Sequence, residues 1–284
     1  MPIPGSILTL VAGVFLALIS LWVGQNINLM PVAAADDAST VDALFKVLFS
    51  IGVGLLLGIT AMLVVALVHF RRRSGDHLDG PAVEGNLPLE IFWTAVPAIV
   101  ILIVGVYSYD IYARMGGMAD FSHHTSMPPQ ENVETASSGH PADPETVIWG
   151  GIDRAEGAAF PVEVTAMQFA FVFHYPQQNF TTGELHLPLG QPVELQLKSN
   201  DVIHAFWVPE FRLKQDVIPG QPTVLGFTAN RQGNYDIICA ELCGPYHGGM
   251  RSKVVVEDAG NFEKWLMRNT PATVATAPES SQTA

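Results

Sequence analysis

The chain has 284 residues, 27 of them acidic and 14 basic, for a formal net charge of −13; 49% are hydrophobic and only 14% charged. A charged fraction this far below the roughly 25% of soluble domains excludes a disordered chain and argues against an ordinary cytosolic globule. The surplus of acid excludes nucleic acid as a partner, and two cysteines are too few for a disulfide scaffold.

Residues 1–35 carry no charged side chain; an apolar run from Ile7 to Val23 is followed by Ala33-Ala34-Ala35 ahead of Asp36-Asp37. The segment reads as a signal sequence with a small-residue cleavage site or as an extra membrane helix. Residues 36–112 read as a transmembrane hairpin. Val47 to Val68 is uncharged over 22 residues, about 33 Å as a helix, enough to span a hydrocarbon core. Arg71-Arg72-Arg73 comes next and places that end in the cytoplasm. Ile91 to Tyr109 returns across, with Trp93, Tyr107, Tyr109 and Tyr112 as interfacial aromatics. The chain beyond Tyr112 is then external.

Residues 113–160 read as an acidic external linker, rich in Gly, Pro and Ser, and 269–284 as a flexible tail. Between them, 161–268 changes to a period of two. Val193-Glu194-Leu195-Gln196-Leu197-Lys198 alternates without a slip, and Val164 to Tyr175 does so with Phe169, Phe171, Phe173 and Tyr175 on one face. Tyr235–Ile238 and Lys253–Val256 are further strands, separated by turns at Thr182-Gly183, Leu189-Gly190 and Pro219-Gly220. Such spacing predicts an antiparallel β-sandwich, with a short helix over Asn261–Arg268.

Cys239-Ala240-Glu241-Leu242-Cys243-Gly244-Pro245-Tyr246-His247-Gly248-Gly249-Met250 gathers two thiols, an imidazole and a thioether within twelve residues. That is a donor set suited to copper. A disulfide would explain only the cysteines, and zinc has little use for a thioether. A remote imidazole is needed to complete a site, and Asp201-Val202-Ile203-His204-Ala205-Phe206 supplies one beside a strand. His123, His124 and His140 fall in the linker, and His174 and His186 have no partner motif. No Cys-x-x-Cys-His is present, so no haem is expected in this chain.

The copper loop, the Asp-Val-x-His segment and the hairpin together resemble subunit II of haem–copper cytochrome c oxidases. Ile3-Pro4-Gly5-Ser6-Ile7-Leu8, Leu21-Trp22-Val23-Gly24-Gln25-Asn26 and Glu84-Gly85-Asn86-Leu87-Pro88-Leu89-Glu90 resemble cyanobacterial members. The resemblance implies an all-β cupredoxin-like Greek-key sandwich after a membrane hairpin, carrying a binuclear copper centre (CuA). By it, Cys239 and Cys243 bridge two coppers, His204 and His247 cap them, and Met250 and the Glu241 carbonyl are weak axial ligands. The Glu241 side chain would bind Mg²⁺ at the contact with subunit I, and Glu90 would stand at the cytoplasmic mouth of a proton path. Where the family shows Gln-Trp-x-Trp, this chain has Gln168-Phe169-Ala170-Phe171, so electrons would come in through Phe169, Trp207 or Tyr246.

The function implied is the electron-input subunit of a proton-translocating terminal oxidase. It would take electrons from a soluble cytochrome c or plastocyanin and pass them to haem in subunit I, where O₂ is reduced. The copper domain would lie on the periplasmic or thylakoid-lumenal side of the membrane, within its lipid and beside other oxidase subunits. A membrane-tethered copper chaperone or thiol-redox protein is one alternative, but its histidine lies far from its cysteines on a thioredoxin-like fold. A quinol-oxidase subunit II is the other, and it lacks the copper ligands.

Overall fold

The computed structural model describes residues 4–72, 75, 84–117, 151–152 and 159–271. Most of the expected linker, with His123, His124 and His140, lies outside them, as does the tail beyond 271. The described chain forms two units.

The first holds three apolar helices, α1 (Gly5–Asn26), α2 (Ala38–His69) and α3 (Leu87–Arg114), each long and apolar enough to cross a membrane. Their large side chains point outward, with Leu8, Leu67 and Ile101 about two-thirds or more exposed. A bilayer would cover such a surface. α1 meets α2 through small residues: a Cβ on Gly24 would land 1.8 Å from Ser50 Oγ, and one on Gly54 3.2 Å from Ser20 Oγ. Both serines satisfy their hydroxyls within their own helix, on the Ala17 and Lys46 carbonyls. Close backbone approach over small residues is how helices associate where water cannot drive them together. α2 starts at Ala38, nine residues before the uncharged run, because its first turns reach past the apolar stretch.

α3 begins with a reciprocal cap. Asn86 Oδ1 accepts the Leu89 N–H, and Glu90 Oε1 accepts the Asn86 N–H (3.1 Å). These bonds satisfy backbone donors that a helix start leaves orphaned.

The second unit contains Pro31–Ser39 and the chain from Ile111 onward. Its strands are β1 (Gly151–Ile152), β2 (Phe160–Met167), β3 (Ala170–Tyr175), β4 (Phe180–Thr182), β5 (Leu185–Pro188), β6 (Pro192–Ser199), β7 (His204–Val208), β8 (Leu213–Val217), β9 (Thr223–Thr228), β10 (Gly233–Cys239) and β11 (Arg251–Glu257). They form a six-stranded sheet, β1-β9-β6-β2-β3-β4, and a five-stranded sheet, β5-β11-β10-β7-β8. Alternation sets the core: Val162, Val164 and Ala166 of β2 and Val193, Leu195 and Leu197 of β6 face Phe206, Ile237 and Val254 of the other sheet's strands, all buried. Helix α4 (Ala259–Asn269) closes one end, capped by Asp258, whose side chain accepts the Asn261 N–H. This is the expected cupredoxin-like sandwich.

Two features differ from expectation, and a third adds to what the sequence showed. The sheets are mixed, because β2–β6, β5–β11 and β1–β9 pair in parallel; strands that cross between sheets return in the same direction. The alternating run from Val164 to Tyr175 is a hairpin, with Gln168 and Phe169 in the turn, so Phe169 leaves the face that Phe171, Phe173 and Tyr175 share. Finally, the alanines expected at a cleavage site are built into the sandwich. Ala34 donates to the Glu210 carbonyl and accepts from the Asn230 N–H, Asp36 donates to Thr228, and Ala35 bridges Ala229. Arg212 also donates to the Pro31 carbonyl. Ala34 and Ala35 are buried. We call residues 31–37 the strap.

Candidate metal centre

Two strands and one loop assemble the site. β10 and β7 are antiparallel neighbours with Cys239 opposite Phe206, so the last residue of one strand and the first of the other, His204, come to the same end of the sheet. The Ala240 N–H donates to the Ala205 carbonyl and prolongs this pairing. The loop from Ala240 then turns back through a short 3₁₀ turn at His247–Gly249. It is closed at its base by the Cys239 N–H on the Met250 carbonyl (3.2 Å). Gly244 sits at φ 136°, and a Cβ there would lie 2.8 Å from Gln168 Nε2 and 3.1 Å from the Phe169 ring. Only glycine allows the loop to press on the β2–β3 turn.

The donor atoms converge. Cys239 Sγ lies 3.8 Å from Cys243 Sγ, 3.9 Å from His204 Nδ1 and 3.3 Å from the Glu241 carbonyl oxygen. Cys243 Sγ lies 3.6 Å from His247 Nδ1 and 3.7 Å from Met250 Sδ. Metal bonds of about 2.3 Å to sulfur and 2.0 Å to nitrogen, at tetrahedral angles, separate ligands by roughly 3.5–3.8 Å. The residues therefore fit a metal, and each thiol has its own imidazole. His204, Met250 and both cysteines are buried, and both cysteines are free, while His247 is half-buried. His204, Cys239 and Cys243 form a group able to hold a metal ion. Burial, reinforced by the neighbouring Cys239, pushes the Cys243 thiol up to about 11. A soft metal that replaces the proton removes that conflict.

Around this set lies a shell of polar groups, of which the sequence assigned a role only to the Glu241 side chain. Asp201 Oδ1 accepts from His204 Nε2 (2.8 Å) and from the Val202 N–H (2.7 Å), while Oδ2 accepts from the Gln168 N–H (2.7 Å). Burial opposes its charge, but the His204 imidazole and the two backbone amides together hold its carboxyl below the ordinary value. Gln168 Nε2 donates to the Cys243 carbonyl. On the far side of the loop, Lys214 bridges Asp216 and the Glu241 carboxylate (3.0 Å). Those bonds, to Asp216 first and Glu241 second, raise the Lys214 ammonium's pKa. For the Asp201–His204 bond the advance signal was Asp201 standing three residues before His204.

The three aromatic candidates separate. Phe169 and Tyr246 meet edge to face at 5.3 Å, with Tyr246 72% exposed. Trp207 stands on the outer face of its sheet, opposite Lys214 and Ile238. Glu90 is the capping residue of α3 and belongs to the membrane unit. His186 is not part of the centre: its ring stacks on Trp265 of α4 at 4.0 Å and its Nδ1 lies 3.1 Å from Glu257. His174 meets Thr181 Oγ1.

Family models for the transmembrane and the periplasmic domain of cytochrome c oxidase subunit II match residues 7–111 and 175–258. Cytochrome c oxidase subunit 2 of Synechocystis is 43% identical over 96% of this chain and 85% of the relative. That of Thermostichus vulcanus is 42% identical over 97% and 88%. The solved periplasmic domain of subunit II of the Bradyrhizobium japonicum cytochrome oxidase is 27% identical over 40% of this chain and 94% of that one, with a TM-score of 0.38. Likeness that runs from the first membrane helix to the strand after the copper loop, at more than two-fifths identity, makes the chain a member of the cytochrome c oxidase subunit II family.

Proposed function

We propose that this chain is the electron-input subunit of a haem–copper terminal oxidase, anchored in the membrane with its sandwich outside. It takes electrons one at a time from a soluble donor, a cytochrome c or a plastocyanin, for delivery to haem in subunit I. The observation that carries this reading is the pairing of each thiol with its own imidazole, 3.6 and 3.9 Å away, around sulfurs 3.8 Å apart. One tetrahedral ion would use four donors and leave the rest idle. Two coppers would engage all six: Cys239, Cys243, His204 and His247 would hold the pair, with Met250 and the Glu241 carbonyl as weaker donors. Such a pair supplies a one-electron carrier.

The chain's own residues do the rest. Strand pairing and the glycine at 244 fix the ligands before metal arrives, and burial keeps water from all but the His247 side. Preorganised ligands reduce rearrangement when charge changes. We assign the Glu241 carboxylate as the Mg²⁺ ligand at the subunit I contact; Lys214, the cation it holds in this chain, would give way to the metal. Glu90 is assigned to the cytoplasmic mouth of a proton path, a role it would combine with capping α3.

The test is metal analysis with visible and EPR spectra of the purified full-length subunit. Two coppers per chain, a purple colour and a seven-line pattern from one shared electron are expected. One copper with a four-line pattern would overturn the binuclear centre. In the assembled oxidase, where the subunit I contact is present, Glu241→Gln should lose Mg²⁺ or a Mn²⁺ substitute while the copper spectrum persists.

A further inference from the structure

We propose that Asp201 is a positioning residue for the metal centre: it fixes the tautomer and direction of His204 and, through Gln168, ties that imidazole to the backbone of Cys243. The proposal rests on the copper reading above and concerns what surrounds it.

A neutral imidazole carries one N–H, and its other nitrogen offers a lone pair. His204 is wholly buried, its Nε2 lies 2.8 Å from Asp201 Oδ1, and its Nδ1 faces Cys239 Sγ at 3.9 Å. With the carboxylate as acceptor, the proton resides on Nε2 and the lone pair on Nδ1 points toward the sulfurs. A carboxylate on the outer nitrogen also makes the inner one a stronger donor.

The surroundings specify a carboxylate. The short contacts of Asp201 are with three N–H groups, those of His204, Val202 and Gln168. Asparagine offers one acceptor oxygen, so its NH₂ would be set against a donor. The turn residue Gln168 then continues the chain of bonds, its backbone donating to Asp201 and its side chain to the Cys243 carbonyl. Two ligands from different elements, β7 and the copper loop, are thereby joined through the β2–β3 turn without any metal.

Stronger donation from His204 favours the more highly charged, oxidised metal pair. Losing it should therefore raise the reduction potential. In the full-length subunit, Asp201→Asn should keep two coppers at saturating metal, with affinity about 10–100-fold weaker. Its potential should rise by about tenfold in the oxidised-to-reduced ratio, roughly 59 mV for one electron. Pulsed EPR should show an altered nitrogen coupling for His204 and an unaltered one for His247. Gln168→Ala retains the backbone bond to Asp201, so its potential should stay near that of the parent. A copper-loaded Asp201→Asn chain with unchanged potential and couplings would overturn the proposal. Should that variant fail to fold or load, nitrogen NMR of the histidine-labelled, metal-free parent decides: His204 as the Nε2–H tautomer supports the proposal, and the Nδ1–H tautomer refutes it. Failure of the copper reading itself would appear separately, as a parent chain that binds no copper pair.

Discussion

Met250 and Cys243 both touch the centre, yet their substitutions should behave differently. Met250 is fully buried with its sulfur 3.7 Å from Cys243 Sγ. Leucine fills a similar volume at a cost below about 1.5 kcal/mol, so Met250→Leu should fold, bind copper and change only the potential. Cys243→Ser removes a shared ligand and should abolish the purple spectrum; its survival would remove the thiolate bridge from the assignment. Asp201 gives a pH prediction. Its carboxyl has a folded value below the ordinary one of about 3.9, so its contribution to stability is complete above pH 3.9. It is lost as pH falls through the lower folded value. Unfolding of the metal-free chain followed from pH 5 to 2 should show a decline that is shallower in Asp201→Asn. At the surface, the exposed ring of Tyr246 shields Phe169. Tyr246→Ala should then slow reduction by the donor at least as much as Phe169→Ala, with the copper spectrum intact in both; a collapse confined to Phe169→Ala would place the route through the inner ring alone. Both thiols, His247 and Met250 were legible because they fall within twelve consecutive residues, where spacing alone displays the donor set. The link from Asp201 through Gln168 to Cys243 was not, since its two bonds join positions 33 and 75 residues apart.

Among the elements, β6 was legible from strict alternation, and the membrane helices from uncharged runs. The β2–β3 hairpin was not, because its turn, Gln168-Phe169, contains no Gly, Pro, Asn or Asp to interrupt the pattern. The strap was not legible for another reason. Ala33-Ala34-Ala35 has the small side chains of a cleavage site, but small side chains also suit a strand pressed against a packed sheet edge. Its partners, Glu210, Thr228 and Asn230, lie far along the chain and leave no local mark. A cut after Ala35 would remove both backbone bonds of Ala34, the Ala35–Ala229 bridge and the carbonyl that Arg212 holds. Each bond contributes about 0.5–1.5 kcal/mol. Intact-mass analysis of the purified subunit should therefore find residues 31–37 present. An amino terminus at Asp36 would show that the strap is dispensable.

For the whole molecule, charge and membrane orientation act together. Arg71-Arg72-Arg73 fixes the cytoplasmic end of α2, and the chain from 111 onward, with nineteen acids and ten bases, puts a net −9 outside. A cysteine label at Ser74 should react only from the cytoplasm, and a protease should reach Ser137-Ser138 only from outside; those residues lie beyond the described structure, and reversed access would refute the orientation. The external charge bears on the donor. Three acids stand near the copper-binding segments in sequence, but their surroundings differ. Glu210 borders the strap at the end of β7 away from His204, Asp216 is paired with Lys214, and Asp236 stands opposite Lys253. Attraction therefore comes from the summed field rather than from one bare acid, and such a field guides encounter more than it strengthens the complex. Reduction by a basic cytochrome c should slow steeply between 0.01 and 0.1 M salt, as the screening length falls from about 30 to about 10 Å. An acidic plastocyanin should show the opposite slope. Asp236→Lys should lower the association rate with the basic donor more than Glu210→Lys, because it lies three residues from Cys239, and neither should touch the later transfer to haem. Stopped-flow reduction against ionic strength checks all three statements. A rate that ignores salt would mean that apolar contact around the exposed Leu242 and Tyr246, and not charge, brings the donor to the centre.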